Sequence, residues 1–413
     1  MPFCPSHRLS WPVLNLTHRC EPSLVKRIAG VVIALLIGGC VSSKPKTPPP
    51  AEPFVFKALD LEQQDAKGRP AWELRSPEAR YDITRQVAQA RQPRGTIYKR
   101  GKANITVSAR SGTVIGDGQA IQLEGDVLIT LLGKNPVRIT GQQARWIPSR
   151  ELMLIDRQPV ALDRRSRITA QLATYYIDRD LIELRGQPVL EQWDGKASKA
   201  TSNNKPAPLR VQTALVDWRP EQGDLKAPME VRGFRRDKDG QIQLTAPSLK
   251  GNLREGYVDL MAPVQVRDPK RKGWLNAQQT RWLINDQLLS SDQPFQGAFK
   301  KLQGKGDRFQ VNLATSTVVI PQGCNLRQPG DQLTARQCQW NWPTGRFQAE
   351  GDVELRRSTY QQITRSSQLR GSIGKDGTAV FSSPGAKVNS QFTLPPQQKA
   401  GKPKGRSTPA VQF

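Results

Sequence analysis

Arg138-Ile139-Thr140-Gly141-Gln142-Gln143-Ala144-Arg145-Trp146 and Arg167-Ile168-Thr169-Ala170-Gln171-Leu172-Ala173-Thr174-Tyr175 are two copies of one pattern, 29 residues apart. Gln158-Pro159-Val160 returns as Gln187-Pro188-Val189 at the same offset, and Gln142–Trp146 recurs as Gln278-Gln279-Thr280-Arg281-Trp282. The template is an apolar residue, a small one two later and an aromatic one five after that. Its first position falls at Leu74, Val107, Ile139, Ile168, Val211, Leu244, Leu275, Leu302 and Leu333. The small position is Ser76, Ala109, Gly141, Ala170, Thr213, Ala246, Ala277, Gly304 and Ala335, and the third is Tyr81, Val114, Trp146, Tyr175, Trp218, Gly251, Trp282, Phe309 and Trp340. A period near thirty residues is the signature of stacked rungs, each burying its apolar face against its neighbours.

Each unit closes on a second run with alternating apolar residues, as in Gly125-Asp126-Val127-Leu128-Ile129 and Gly351-Asp352-Val353-Glu354-Leu355. Period-two alternation marks a strand with one buried face, and no helical stripe persists after residue 50. These features predict an all-β chain of stacked antiparallel strands built from repeats of about 30 residues. The aromatic column is expected to fill equivalent holes in a core. Small side chains at every rung allow a close approach by the opposite sheet or by a ligand.

The first forty residues follow a different grammar. Lys26 and Arg27 precede the apolar run Ile28–Gly39, and Cys40 follows at once. Twelve helical residues rise only about 18 Å, short of a bilayer core of about 30 Å, so the run reads as the h-region of a signal peptide. Ile37-Gly38-Gly39-Cys40 resembles the bacterial lipobox, whose cysteine is acylated and becomes the new N-terminus. Translation is expected to start nearer Val25 than Met1. The Pro-rich stretch after Cys40 should run extended as a tether. The expected organisation is 1–39 signal peptide, 40–53 lipidated cysteine and tether, 54–195 and 209–390 β-rungs, and 391–413 a basic disordered tail, with the polar insertion Asp194–Asn204 as a loop.

The chain carries a net charge of +26, and removal of residues 1–39 takes four basic residues and one acidic one, leaving +23. That balance suits anionic partners such as a glycolipid or a headgroup layer; export argues against nucleic acid. Both histidines, His7 and His18, lie in the removed segment. The mature chain therefore lacks a Ser–His–Asp triad, a Cys–His pair and any histidine metal ligand, and no cofactor is expected. In an oxidising compartment Cys324 and Cys338 can pair, closing a loop worth about 3 kcal/mol; two buried thiols are the alternative.

Phe54–Leu61, Gly68-Arg69-Pro70-Ala71-Trp72-Glu73-Leu74, Ala79-Arg80-Tyr81-Asp82, Leu123-Glu124-Gly125-Asp126-Val127 and Ala144-Arg145-Trp146 occur in that order behind the anchor. In this the chain resembles LptC, the periplasmic component of the lipopolysaccharide exporter, and its LptA-like relatives, over about residues 54–195. The resemblance implies an elongated open β-jellyroll whose two sheets enclose a groove for acyl chains. Lipopolysaccharide or a related glycolipid would be the cargo, and the inner-membrane Lpt ABC transporter and an LptA-like bridge protein the partners. It further implies a periplasmic location, anchored to the inner membrane; the lipobox in place of a transmembrane helix, with Val41 after the cysteine, leaves an outer-membrane address open. Groove-facing residues would be Leu74, Tyr81, Val127, Ile129, Ile139, Trp146, Leu152, Ile168, Tyr175 and Leu181, provided the register is not off by one.

Two other readings compete. A cell-wall-binding scaffold lipoprotein with a filled core explains the charge, the repeat and the anchor, but no open slot. A glycoside hydrolase needs two carboxylates about 5–10 Å apart across a cleft; Asp178 and Asp180 flank Arg179 in an expected turn, where Asp is ordinary, and the chain is expected not to be an enzyme. If Cys40 is acylated, Cys40→Ser should move the protein from the membrane to the soluble fraction on fractionation. Retention on the membrane would refute the anchor.

Overall fold

The computed structural model describes residues 54–193, 206–237, 240–372 and 378–393. The signal segment, Cys40 and its tether, the insertion 194–205 and the residues from 394 onward lie outside them. The chain divides into units 1–50 and 51–413, and all described residues belong to the second. They form antiparallel strands joined by short turns, with three 3-10 turns and no α-helix. No described helix is long and apolar enough to cross a membrane.

Pairing divides the strands into two ladders. Strands that leave one ladder cross to the other at a shared corner, and hairpins close each ladder at its outer rim. The first ladder runs through Arg94–Lys99, Lys102–Ser108, Val160–Leu162, Ser166–Thr169 and onward to Asp331–Ala335. The second runs through Val87–Arg91, Ser111–Ile115, Leu152–Asp156, Leu172–Tyr176 and onward to Gln337–Asn341. Long strands serve both: Pro70–Asp82, Ala120–Leu131, Val137–Ile147, Arg346–Arg357 and Gln362–Ser372.

Each ladder carries one unbroken row of facing residues. In the first it reads Leu61, Leu74, Gly95, Val107, Ile129, Ile139, Ala161, Ile168, Leu190 and Val211. It continues as Gly233, Leu244, Val266, Leu275, Gly297, Gly304, Leu326, Leu333 and Leu355. In the second it reads Tyr81, Ala88, Val114, Ile121, Trp146, Met153, Tyr175, Ile182 and Trp218. It continues as Leu225, Gly251, Val258, Trp282, Leu289, Val311, Val318 and Trp340. The template positions Leu74 to Leu275 and Leu333 fall in the first row and Tyr81 to Trp282 and Trp340 in the second. In the eighth unit the rows hold Gly304 and Val311, two residues after Leu302 and Phe309, because two glycines on facing strands hide the apolar signal there.

The small residues sit at the corner. Ser76, Ala109, Gly141, Ala170, Thr213, Ala246, Ala277 and Ala335 occur where the chain leaves the first ladder for the second. A side chain on Gly141 would come within 2.9 Å of Ile155 Cγ2. Seven of the return crossings carry a proline, Pro93, Pro159, Pro188, Pro228, Pro263, Pro294 and Pro321. Proline has no N–H to leave unpaired at a bend; the carbonyls of Pro93, Pro159 and Pro188 accept the N–H of Ala109, Ala170 and Thr213.

Two long strands bend between ladders at a Gly-Asp pair. Gly125 and Asp126 have φ of 72° and 49°, and Gly351 and Asp352 have 76° and 51°. The register shifts at both places, as a bulge that redirects a strand requires. Arg110 N–H donates to the Gly125 carbonyl at 2.8 Å and Arg336 N–H to Gly351 at 2.7 Å. Their guanidinium groups meet Asp126 and Asp352 at 3.1 and 3.2 Å. Cys324 and Cys338 form a disulfide that joins the two ladders near the corner, with Cα atoms 5.9 Å apart.

The corner sets a steric limit. A Cβ at Gly306 would stand 2.6 Å from Ile320 Cγ2 and 3.0 Å from Phe295 Cε1. Gly306→Val is expected to lower stability by about 1–3 kcal/mol, read as a lower urea midpoint at unchanged slope.

Candidate functional site

From residue 54 to about residue 185 the space between the rows is filled. Leu74, Val107, Ile129, Ile139, Ile168, Ile121, Trp146, Met153, Tyr175 and Ile182 are all buried in one core. Trp72 and Trp146 meet edge to face at 5.6 Å across it. Downstream the same rows continue, but many of their side chains are less deeply buried. Leu244, Val266, Leu275, Leu289, Val311 and Trp340 are only half-buried although they point inward. Between the ladders from Leu190 to Pro343 lies a cleft of about 1010 Å³, at the top of the roughly 300–1,000 Å³ range of small-molecule sites.

Two features of the sequence open it. Four glycines stand in the rows over this stretch, Gly233, Gly251, Gly297 and Gly304, where the preceding rows carry one, Gly95. The second feature lies two residues nearer the rim of the first ladder. Upstream those inward positions are Trp72, Ile97, Ile105, Leu131 and Val137, all buried. Downstream they include Gln192, Arg235, Asp268 and, beyond the cleft, Gln328, Asp331 and Arg357. Charged groups cannot be sealed in a dry core without several kcal/mol of desolvation cost each, so this edge stays wet and the ladders stay apart.

At its far end the cleft narrows. Phe295 meets Phe309 at 5.1 Å and Phe299 meets Trp340 at 5.0 Å, each pair spanning the ladders. A smaller cavity of about 60 Å³ continues from Leu302 and Leu326 to Leu369 and Ala379. Leu333, Val353, Leu355 and Leu369 then pack into a second core.

Polar contacts join the rims. Lys99 on the first rim approaches Glu221 on the second at 3.7 Å. Arg165 Nη1 donates to Asn285 Oδ1 at 2.9 Å, and Arg235 Nη2 to Gln287 Oε1 at 2.9 Å. Of the two carboxylates weighed for hydrolysis, Asp178 is exposed and paired with Arg179 at 3.6 Å. Asp180 is 4 % exposed and accepts the Glu221 N–H at 2.7 Å. Two neighbours in one turn, one solvated and one buried, do not face each other across a cleft. Among the described residues no three His, Cys, Asp or Glu gather as a metal site.

The ten positions read as groove-facing take other places. Leu74, Val127, Ile129, Ile139, Trp146, Ile168 and Tyr175 are buried in the filled core. Tyr81 lies in the second row with its hydroxyl donating to Asp117 at 2.9 Å. Leu152 and Leu181 point outward, one residue out of register with the inward Met153 and Ile182. None of the ten lines the cleft. The residues that do, such as Leu275, Trp282 and Val311, occupy equivalent row positions three to four units later, and the glycines beside them are the sequence signal that distinguishes the hollow stretch.

Residues 27–188 match the LptC-related lipopolysaccharide-assembly family. The matched stretch covers the filled core and ends where the cleft begins. No curated protein matches the chain. The crystal structure of LptH, the LptA-homologous periplasmic component of the conserved lipopolysaccharide transport device from Pseudomonas aeruginosa, aligns with 28% of this chain and 82% of its own, at 11% identity and a TM-score of 0.25.

Beside the filled core, burial pushes the Asp180 carboxyl up to about 6, against the lowering pull of the Glu221 N–H and of Lys99 and Arg254. The unfolded carboxyl titrates near about 3.9, so folding takes up a proton in between, and stability falls as pH rises from about 4 to about 6. Asp180→Asn, at a φ of 47° that Asn tolerates, is expected to raise the melting temperature at pH 8 and to give no gain below pH 4. A gain of equal size at both pH values would show that the carboxyl charge is not the cause.

Proposed function

We propose that this protein is a non-enzymatic component of lipopolysaccharide export, carrying acyl chains in the cleft between its ladders. The observation that carries the reading is the cleft itself: two in-register apolar rows held apart by glycines and a wet rim. Lipid tails cannot cross water without such a path, since each exposed methylene costs about 0.8 kcal/mol. The match to the LptC-related family over residues 27–188 supports the cargo class. On this reading the filled segment up to about residue 185 is a rigid post behind the anchor at Cys40, and the rungs from Leu190 onward are the carrier. Among the described residues strand Phe54–Gln64 pairs on one side only, and it exposes Phe54, Val55 and Phe56. Such an edge can accept a strand from a partner, as assembly with the exporter or with a bridge protein in the periplasm would require.

A scaffold with a filled core remains the rival, favoured by the packing from Trp72 to Leu184. The two readings separate by photo-crosslinking in cells, with a photoreactive residue at Ile139, Leu275 or Trp282 in turn. Lipopolysaccharide adducts are expected at Leu275 and Trp282 and not at Ile139. Folded protein giving no adduct at Leu275 or Trp282 would leave the scaffold as the answer.

A further inference from the structure

The rims over the cleft differ in charge. On the first rim the turns Asp268–Gly273 and Phe299–Leu302 carry Lys270, Arg271 and Lys272, then Lys300 and Lys301, with Asp268 their one carboxylate; the sequence between Arg236 and Gly240 adds Asp237, Lys238 and Asp239. Asp268 is occupied by Arg271 at 2.7 Å. On the second rim the facing turns are Ile284–Gln287, Leu313–Ser316 and Trp342–Gly345, which hold no cation and a single acid, Asp286.

Arg235, Arg271 and Lys300 line the cleft. Arg235 is half-buried, and its guanidinium donates to the neutral Gln287 amide oxygen. Lys300 sits over the Phe299 ring at 5.6 Å. Among the described residues no carboxylate lies within ion-pair distance of Arg235 or Lys300. A purely hydrocarbon occupant would leave both side-chain charges without a counter-ion.

Resting on the lipid-carrier reading above, we infer that the cleft binds its lipid in one orientation, with headgroup phosphates on Arg235 and Lys300 at the first rim. The acyl chains then lie along Leu244, Leu275 and Val311. Lys270, Lys272 and Lys301 surround the phosphates at the turn tips and draw the anionic lipid to this side of the mouth. The facing turns Ile284–Gln287, Leu313–Ser316 and Trp342–Gly345, without cations, meet the uncharged side of the headgroup. Arg235 and Lys300 are specificity residues: they select phosphorylated amphiphiles from among lipids that the apolar walls accept equally.

The test uses the full chain in detergent and follows tryptophan fluorescence during titration. The probes are a hexa-acyl diphosphoryl glucosamine disaccharide and the same lipid with both phosphates removed. The unmodified protein is expected to bind the phosphorylated lipid at least tenfold more tightly, with the preference shrinking as salt rises. Arg235→Gln with Lys300→Gln should abolish the preference and leave affinity for the dephosphorylated lipid unchanged. The charge-conserving pair Arg235→Lys with Lys300→Arg should retain it, which separates loss of charge from loss of fold. Equal affinity of the unmodified protein for both lipids, or an undiminished preference in the glutamine pair, would overturn the orientation while leaving the carrier reading intact. Binding of neither lipid would overturn both.

Discussion

Antiparallel pairing runs through both ladders without a gap from Phe54 to Gln391, and every strand between the ends has partners on both sides. A strand's side chains alternate with a period of two, so a slip of one residue anywhere would turn all later apolar residues outward. The chain prevents this with small residues and prolines at the corner, and confines irregular pairing to a few bulges, two of them at Gly-Asp pairs. The two rows, and with them the core and the cleft, follow from that registration.

The same registration produces opposite interiors. Where the rows carry Ile, Leu, Trp and Tyr and the rimward positions are Trp72, Ile97 and Ile105, the ladders pack to the density of a core. Where glycine enters the rows and Arg235 and Asp268 replace the rimward hydrophobes, they do not. The hollow in this arrangement lies in what the rungs leave out. A small residue at the corner lets two backbones meet; the same small residue in a row leaves room for something else.

The all-β class and the row residues could be read from the sequence because an apolar residue followed seven later by an aromatic one survives in most units. The reading slipped where the side chains that carry it vanish, at Gly297 and Gly304, and so placed Leu302 and Phe309 two residues early. Leu152 and Leu181 show a different failure: both adjoin inward residues in short strands whose outward positions are also apolar, so hydropathy alone cannot fix the face. The cleft was not legible, because whether two rows touch depends on the distance between ladders, and that distance depends on residues from strands far apart in sequence. The contrast between Ile105 and Arg235 at equivalent rimward positions becomes visible only when the rungs are aligned.

The crossing pattern also makes length a variable of its own. A rung enters at a proline corner, turns at one rim, leaves at a small residue and turns at the other rim. It pairs only with the rungs on either side. An added pair of hairpins would insert about 30 residues and extend each ladder by two strand spacings, about 10 Å, with corner and rows unchanged. Span can therefore be adjusted in discrete increments by duplication, much as a ladder is lengthened by fitting more steps between the same rails. The length of the two ladders is then recorded in the number of rungs.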